Sequence, residues 1–195
     1  MEANKFSCYV IGGDSLLIQC AEILLERGHD LRGVVSSAPR IQRWAQERNL
    51  RVIDPDAGLA AALAETPFDY LFAITHLAIL PDAVISLPKR AAINFHDGPL
   101  PRYAGLYTPA WALIQREPSY GISWHVITPG IDEGDVLKQR TFDIAPAETS
   151  LTINTRCFEA GIESFGELVN ELAAGTAQHT VQDRSQRSYF GNGPS

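Results

Sequence analysis

The stretch FSCYVIGGDSLLIQCAEILLERGHDLRGVVSS, residues 6–37, decides the fold class. It opens on a β-rich apolar run, FSCYVIG, ended by Gly12 and Gly13. From Ser15 to Arg27, the residues Leu16, Ile18, Cys20, Ile23 and Leu24 fall where one face of a helix could bury them, and Gly28 stops it. LRGVVSS then reads as a second strand. Working outward, the alternation continues with a helix over 40–49, a short strand over 51–53, an alanine-rich helix over 58–65 and the apolar strand DYLFAI, 69–74. Strands alternating with helices mark a parallel sheet covered on both faces. The expected class is α/β, with a Rossmann-like open, mostly parallel sheet flanked by helices.

The second half changes character. AAINFH, 91–96, reads as a buried strand running into a Pro/Gly-rich loop, DGPLPRYAG, 97–105. A helix is expected over 108–116. GISWHVIT and DVLKQRTFDI read as two strands in series separated by PGIDEG, and a long helix is expected over 150–174, with Thr149 or Ser150 as its cap and Gly175 after its end. The polar remainder ends in Gly, Pro and Ser. The expected division is a catalytic domain over 1–178 and a tail or linker over 179–195.

Bulk composition narrows the classes. The 195 residues, 45% hydrophobic and 20% charged, suffice for one sizeable core. No apolar run is long enough to span a bilayer, and MEANKFSCYVIGG lacks the basic and apolar regions of a signal peptide. Cys8, Cys20 and Cys157 are scattered, without metal-ligand or CxxC spacing, and read as reduced thiols; a cytoplasmic protein without a membrane partner is expected. The net charge of −7 argues against nucleic acid as the main partner and for a small molecule or a protein. IGGDSLLIQC does not contain GxGxxG, and LRGVVSS ends without an acidic residue for a ribose hydroxyl, so Gly12 and Gly13 read as a structural turn rather than an NAD site.

The loop NFHDGPLPRYAG carries the chemical information. Asn94 and His96 are two residues apart at the end of an apolar strand, so both side chains can point the same way. Ligands of open α/β sheets bind beyond the carboxyl ends of the strands. Asp132, in the turn PGIDEGD, can return to the same region. Such a set suits acyl transfer to an amine. An Asn amide and an imidazolium donate hydrogen bonds to a developing oxyanion, and a carboxylate assists the imidazole and helps move the amine proton. With no Ser or Cys nucleophile beside the histidine, direct transfer is simpler than a covalent intermediate. The ordinary alternative is a hydrogen-bonded strand end and a turn aspartate. No metal-ligand spacing is present; Asp97, Glu133 and Asp135 read as solvated.

AINFHDGPLPRYAGLYTPAWALIQRE followed by GISWHVITPGIDEGDVL resembles the folate-dependent formyltransferase family. Asn94, His96, Leu100-Pro101, Gly121-Ile122-Ser123 and Asp132-Glu133-Gly134 match its pattern in order, and FDYLFAITHLAILPDAVISLP is similar to its pterin-side strand and loop. The resemblance implies a formyltransferase-type fold and 10-formyltetrahydrofolate as formyl donor. It also implies that Asn94 and His96 polarise the formyl group while Asp132 assists the histidine. Folate contacts are implied at His76, Leu77 and Ile79 on one loop and at Thr128, Pro129 and Gly130 on another. Unaided, HLAILP reads as apolar packing and His76 as incidental; His125 reads as a residue that could approach the site or simply be structural.

Two departures bear on the acceptor. Asp97-Gly98-Pro99 stands where the family often has Pro-Ser-Leu or Gly-Ser-Leu, and GGDSLLIQC is a poor copy of the phosphate-cradling loop of the ribonucleotide enzymes. In organisation the chain resembles the N-terminal formylation domain of a nonribosomal peptide synthetase. That implies an amine acceptor on a carrier-bound aminoacyl group, with YFGNGPS as a linker. A hydrolase releasing formate from the same folate, and a catalytically silent docking domain, remain alternatives.

Overall fold

Gly12 shows how tightly the first strands are built. A Cβ on this residue would lie 1.7 Å from the Ile74 carbonyl oxygen, so only glycine fits. The turn glycine is a packing requirement. The computed structural model describes residues 4–191. Its elements run β1 (Ser7–Ile11), α1 (Ser15–Glu26), β2 (Asp30–Val35), α2 (Pro39–Glu47), β3 (Val52–Ile53), α3 (Leu59–Ala64), β4 (Tyr70–Ala73), α4 (Asp82–Ile85) and β5 (Ala91–His96). They continue with β6 (Ala104–Gly105), α5 (Thr108–Ile114), β7 (Ser119–Val126), β8 (Val136–Asp143), α6 (Ser150–Ala174) and β9 (Tyr189–Phe190).

The chain divides into two compact units. The first takes residues 1–94 and 169–176. Within it β1 pairs in parallel with both β2 and β4, β2 with β3, and β4 with β5. Tyr9, Val10 and Ile11, with Leu71, Phe72 and Ala73, are buried, as a two-faced parallel strand requires. Helix α1 buries Leu16, Leu17, Cys20, Ala21 and Leu24 and packs on β1 and β2. Asp14 caps it, accepting from the Ser15 N–H, and Gly28 follows its end at φ +71°.

The second unit takes residues 95–168 and 177–195, of which 192–195 are not described. Here β7 and β8 pair antiparallel. Trp124 on β7 is fully buried, packs at a tilt against Phe95 and Phe165, and donates its indole N–H to Ser164 of α6 at 3.0 Å. The seven sheet strands follow the order β3-β2-β1-β4-β5-β7-β8, the mostly parallel α/β sheet expected.

Boundaries shift by at most two residues from those read in the sequence, and β5 and α6 coincide with them at both ends. Helix α4 and the short β6–β9 pair had no periodic signal. Part of the stretch expected as a tail or linker bonds to the rest of the second unit. Thr180 and Val136 exchange two backbone hydrogen bonds of 2.9 Å, and β9 pairs in parallel with β6. Residues 180–190 are therefore part of the second unit. Their polarity gives no sign of this, because a segment that bonds through side chains to loop carbonyls has the same composition as a linker. The proposed linker residues 192–195 lie outside the described residues. Cys8, Cys20 and Cys157 are buried free thiols, each with its pKa raised chiefly by that burial. No described helix is long and apolar enough to cross a membrane.

His29 links β1 and β2 near their starts. It is buried, stacks on Phe6 with ring centroids 3.8 Å apart, and its Nδ1 accepts the Phe6 N–H at 3.3 Å. Burial, with Lys5 and Arg27 adding positive charge, pushes its pKa down from 6.5 to about 4. The unfolded chain therefore takes up this proton more readily than the folded one. His29 contributes fully above pH 6.5, and its contribution is lost as pH falls toward about 4. Urea midpoints measured at pH 7 and at pH 5 check this. The gap between them should narrow in His29→Gln, which keeps an acceptor without the titration; an unchanged gap would refute the account.

Candidate active site

Strand β5 delivers the first part of the site. Asn94 is half-buried, and the alternation of a strand puts it on the same face as His96, two residues on. His96 is 5% exposed. Its Nε2 lies 2.6 Å from the Tyr103 carbonyl oxygen, which can only accept, so Nε2 carries a hydrogen. The exchangeable nitrogen is therefore Nδ1. It faces Asp132 Oδ2 at 3.6 Å and Asp97 Oδ1 at 4.0 Å.

The loop after β5 is fixed by a dense set of short-range bonds. The Ser123 hydroxyl donates to the Gly98 carbonyl at 2.8 Å and accepts from the Leu100 N–H at 3.1 Å. The Gln139 amide donates to the Leu100 carbonyl at 2.9 Å, and Leu100-Pro101 is a cis peptide. The Tyr120 and Thr108 hydroxyls donate to the Asp97 carbonyl at 2.7 and 3.1 Å. Gly98 has no room for a side chain, since its Cβ would meet the Tyr103 carbonyl oxygen at 2.6 Å and His96 Nε2 at 2.7 Å.

Asp132 comes from the turn between β7 and β8, with φ at 51°, in the left-handed region. Its Oδ2 accepts the Gly105 N–H at 2.9 Å, and its Oδ1 lies 3.3 Å from His125 Nε2. His125 Nδ1 in turn lies 2.9 Å from the Val126 carbonyl oxygen. The carboxylate thus stands between two imidazoles, each anchored on a backbone carbonyl. Burial acts to raise the Asp132 pKa. The hydrogen bond with His125, the fields of His96 and His125 and the Gly105 N–H outweigh burial and hold the group well below the usual carboxylate range. Alternation along β7 gives no sign of the role of His125, because its partner lies across a turn.

Residues 180–190 tie the two loops down. The Gln182 amide donates to the Asp132 and Gly134 carbonyls at 2.9 and 2.7 Å, and Arg187 donates to the Ile131 carbonyl at 2.8 Å. Tyr103 N–H donates to Ser188 Oγ at 2.8 Å, and Leu106 N–H to the Phe190 carbonyl at 2.8 Å. Phe190 stacks on Tyr103 and Trp111 at 5.3 and 5.1 Å.

The residues assigned to folate are placed as follows. His76 follows β4, half-buried, with its pKa lowered by burial. Leu77 is 85% exposed and Ile79 75%, so apolar packing in this loop falls to the buried Leu80 and not to these two residues. Beyond β7, Thr128 and Gly130 are half-buried and Pro129 exposed; Glu133 folds over Gly130, where a Cβ would meet its carboxylate at 2.2 Å. Among the described residues no His/Cys/Asp/Glu group is arranged to hold a metal ion.

These features define an α/β domain of the Rossmann-like class, with an imidazole–carboxylate centre at the carboxyl end of a sheet strand. The protein family described as formyl transferase matches residues 33–169, more than two thirds of the chain, and the chain belongs to that family. Methionyl-tRNA formyltransferase of Geobacter metallireducens is 29% identical over 182 residues, spanning 85% of this chain and 58% of the relative. That of Anaeromyxobacter sp. (strain K) is 33% identical over 159 residues, spanning 80% and 51%. The chain therefore spans little more than half the length of these relatives. In fold it is similar to an N-formyltransferase from Helicobacter canadensis in complex with folinic acid and dTDP-3-aminofucose (TM-score 0.82, 19% identity, covering 95% of this chain and 70% of the other). It is also similar to glycinamide ribonucleotide transformylase 1 from Symbiobacterium toebii (TM-score 0.80, 19% identity, covering 92% and 95%).

Gly98→Ala should cost roughly 1–3 kcal/mol by urea denaturation, the usual penalty of overpacking, because neither the Tyr103 backbone nor the His96 ring can move aside freely. Gly13→Ala, whose Cβ would have nothing nearer than 3.9 Å, is the matched control and should stay within about 0.5 kcal/mol of wild type. Equal losses in the two variants would show that the loop does not grip the histidine.

Proposed function

We propose that the chain is the catalytic domain of a formyltransferase that carries a formyl group from 10-formyltetrahydrofolate to an amine. The observation that carries this reading is the Asp132 carboxylate held against both His96 and His125, with Asn94 on the His96 strand face. His96 offers Nδ1 to the formyl oxygen, and the Asn94 amide offers a second donor; together they stabilise the oxyanion formed when an amine attacks. Asp132 holds the imidazole through its charge and receives the proton that the attacking nitrogen gives up. Formyl-folate supplies the group to be moved.

The donor fits the residues assigned to it. Leu77 and Ile79 leave apolar surface open beside His76, whose burial favours the uncharged ring, and such a surface suits a flat heteroaromatic system. Thr128, Pro129 and Gly130 add a second loop to the same assignment. For the acceptor, the α-amine of an aminoacyl thioester on a carrier domain is favoured, as in a formylation domain opening a nonribosomal peptide synthetase. The relatives named for methionyl-tRNA support the more general class, the α-amine of an activated aminoacyl group. The net charge of −7 weighs against a polyphosphate carrier.

Purified protein with 10-formyltetrahydrofolate and an aminoacyl-loaded carrier domain should yield a formyl-amide by mass spectrometry, and aminoacyl-tRNA should be the poorer acceptor. Asp132→Asn should lower turnover by roughly 10²–10⁴, the usual worth of a positioned acid–base group. Formate release at full rate without any amine would replace the proposal with a hydrolase. Folate binding without turnover on any acceptor would favour a docking domain.

A further inference from the structure

Asp97 is the one carboxylate beside His96 that the residue pattern of formyltransferases does not supply, since proline or glycine commonly stands there. Its backbone is immobilised by Tyr120 and Thr108, and Gly98 follows with no space for a side chain. Its side chain is nevertheless 39% exposed, against 11% for Asp132. Among the described residues it has no lysine or arginine partner; its nearest ionisable neighbour is the His96 ring, with Nδ1 at 4.0 Å. The Thr108 hydroxyl is 3.5 Å from Asp97 Oδ1, and the two residues before Thr108, Leu106 and Tyr107, are exposed apolar side chains. Tyr107 has a φ of 56°, a left-handed conformation that a non-glycine residue adopts only when its surroundings impose it. A rigid, open carboxylate without a cation of its own, beside exposed apolar groups and the reacting imidazole, is built to receive a small cation from solvent.

We infer that Asp97 receives the acceptor as its ammonium ion and removes its first proton, so that the substrate class is a basic aliphatic amine on an otherwise uncharged, partly apolar group. This rests on the formyl-transfer reading and goes beyond it by assigning the acceptor side. The proton count requires such a group. R–NH₃⁺ gives one proton to an Asp97 oxygen, and the freed lone pair forms the N–C bond while the carbonyl π pair moves to oxygen. When that pair returns, the bond from the formyl carbon to the donor nitrogen breaks. The leaving nitrogen takes the second amine proton, relayed by Asp132 and His96; the third hydrogen stays on the formamide. The proton on Asp97 passes to water, giving formamide, unformylated folate and one H⁺. Two carboxylates with separate tasks explain why one is more enclosed than the other.

The groups facing Asp97 are His96, Thr108 and Tyr120, with Asp132 and His125 behind the histidine and Cys157 near Tyr120. Tyr120 and Cys157 are buried with their pKa values raised, so neither competes for the proton below pH 9. The probe is alanyl N-acetylcysteamine thioester, assayed with saturating formyl-folate. Asp97→Asn should raise the KM for this amine and lower kcat/KM by about 10- to 100-fold at pH 6.5, the worth of a charge-assisted hydrogen bond. The deficit should shrink toward pH 9, where the probe arrives already neutral. A deficit confined to kcat and independent of pH would mean that Asp97 acts only through His96, and would overturn the inference. Wild-type kinetics in the variant would overturn it too. A second measurement needs no turnover: NMR titration with alaninamide should saturate for wild type and not for Asp97→Asn. Equal binding refutes the ammonium site. If wild type binds alaninamide but transfers no formyl group, the function proposal fails and the ammonium site stands.

Discussion

The Asp132 carboxylate is the point through which three separate stretches of the second unit are joined. One oxygen takes the Gly105 N–H and faces His96; the other faces His125. A buried anion is costly unless its lone pairs are occupied, and here backbone and side chains occupy them. Removing any of these contacts leaves a charge in a place where water does not easily reach. The turn conformation at φ 51°, the glycine at 134 whose Cβ would strike the Val126 carbonyl at 1.8 Å, and the bonds from Gln182 are all conditions for holding that charge in one position.

The electrostatic design is asymmetric. Asp132 is enclosed and held in its ionised form by its neighbours, whereas Asp97 approaches the same imidazole nitrogen from the open side. Carboxylates placed in contrasting environments around one group can take different parts in a reaction. The histidine is fixed by its other nitrogen, through Tyr103, so ring rotation does not blur this distinction.

Much of the fold was legible from residues 6–96 because burial on both faces of a parallel sheet imposes apolar runs, and helices between them impose a different period. β5 and α6 could be delimited to the residue. Asn94 and His96 share a strand face by simple alternation, whereas the nearness of Asp132 to His96 was expected through the family resemblance and not from the turn itself. What the sequence hid depends on contacts between distant residues. The pairing of His125 with Asp132, the exposure of Leu77 and Ile79, and the return of residues 180–190 leave no periodic trace. A polar segment such as VQDRSQRS has the same composition whether it floats in water or closes a set of loop carbonyls. Asp97, likewise, looks like any surface aspartate until the distance to His96 is known.

The order in which the two units use the chain has a consequence for synthesis. Residues 169–176 belong to the first unit and residues from 177 onward to the second. A nascent chain emerging from the ribosome therefore completes neither unit until α6 has left the exit tunnel, although most of the first sheet has been available since β5. Ser188 and Phe190, which fasten the loop behind His96, emerge after His96, His125 and Asp132 are already out. The fastening of this loop thus comes late, and a chain stalled before Ser188 would expose the aromatic faces of Tyr103 and Trp111 that Phe190 covers.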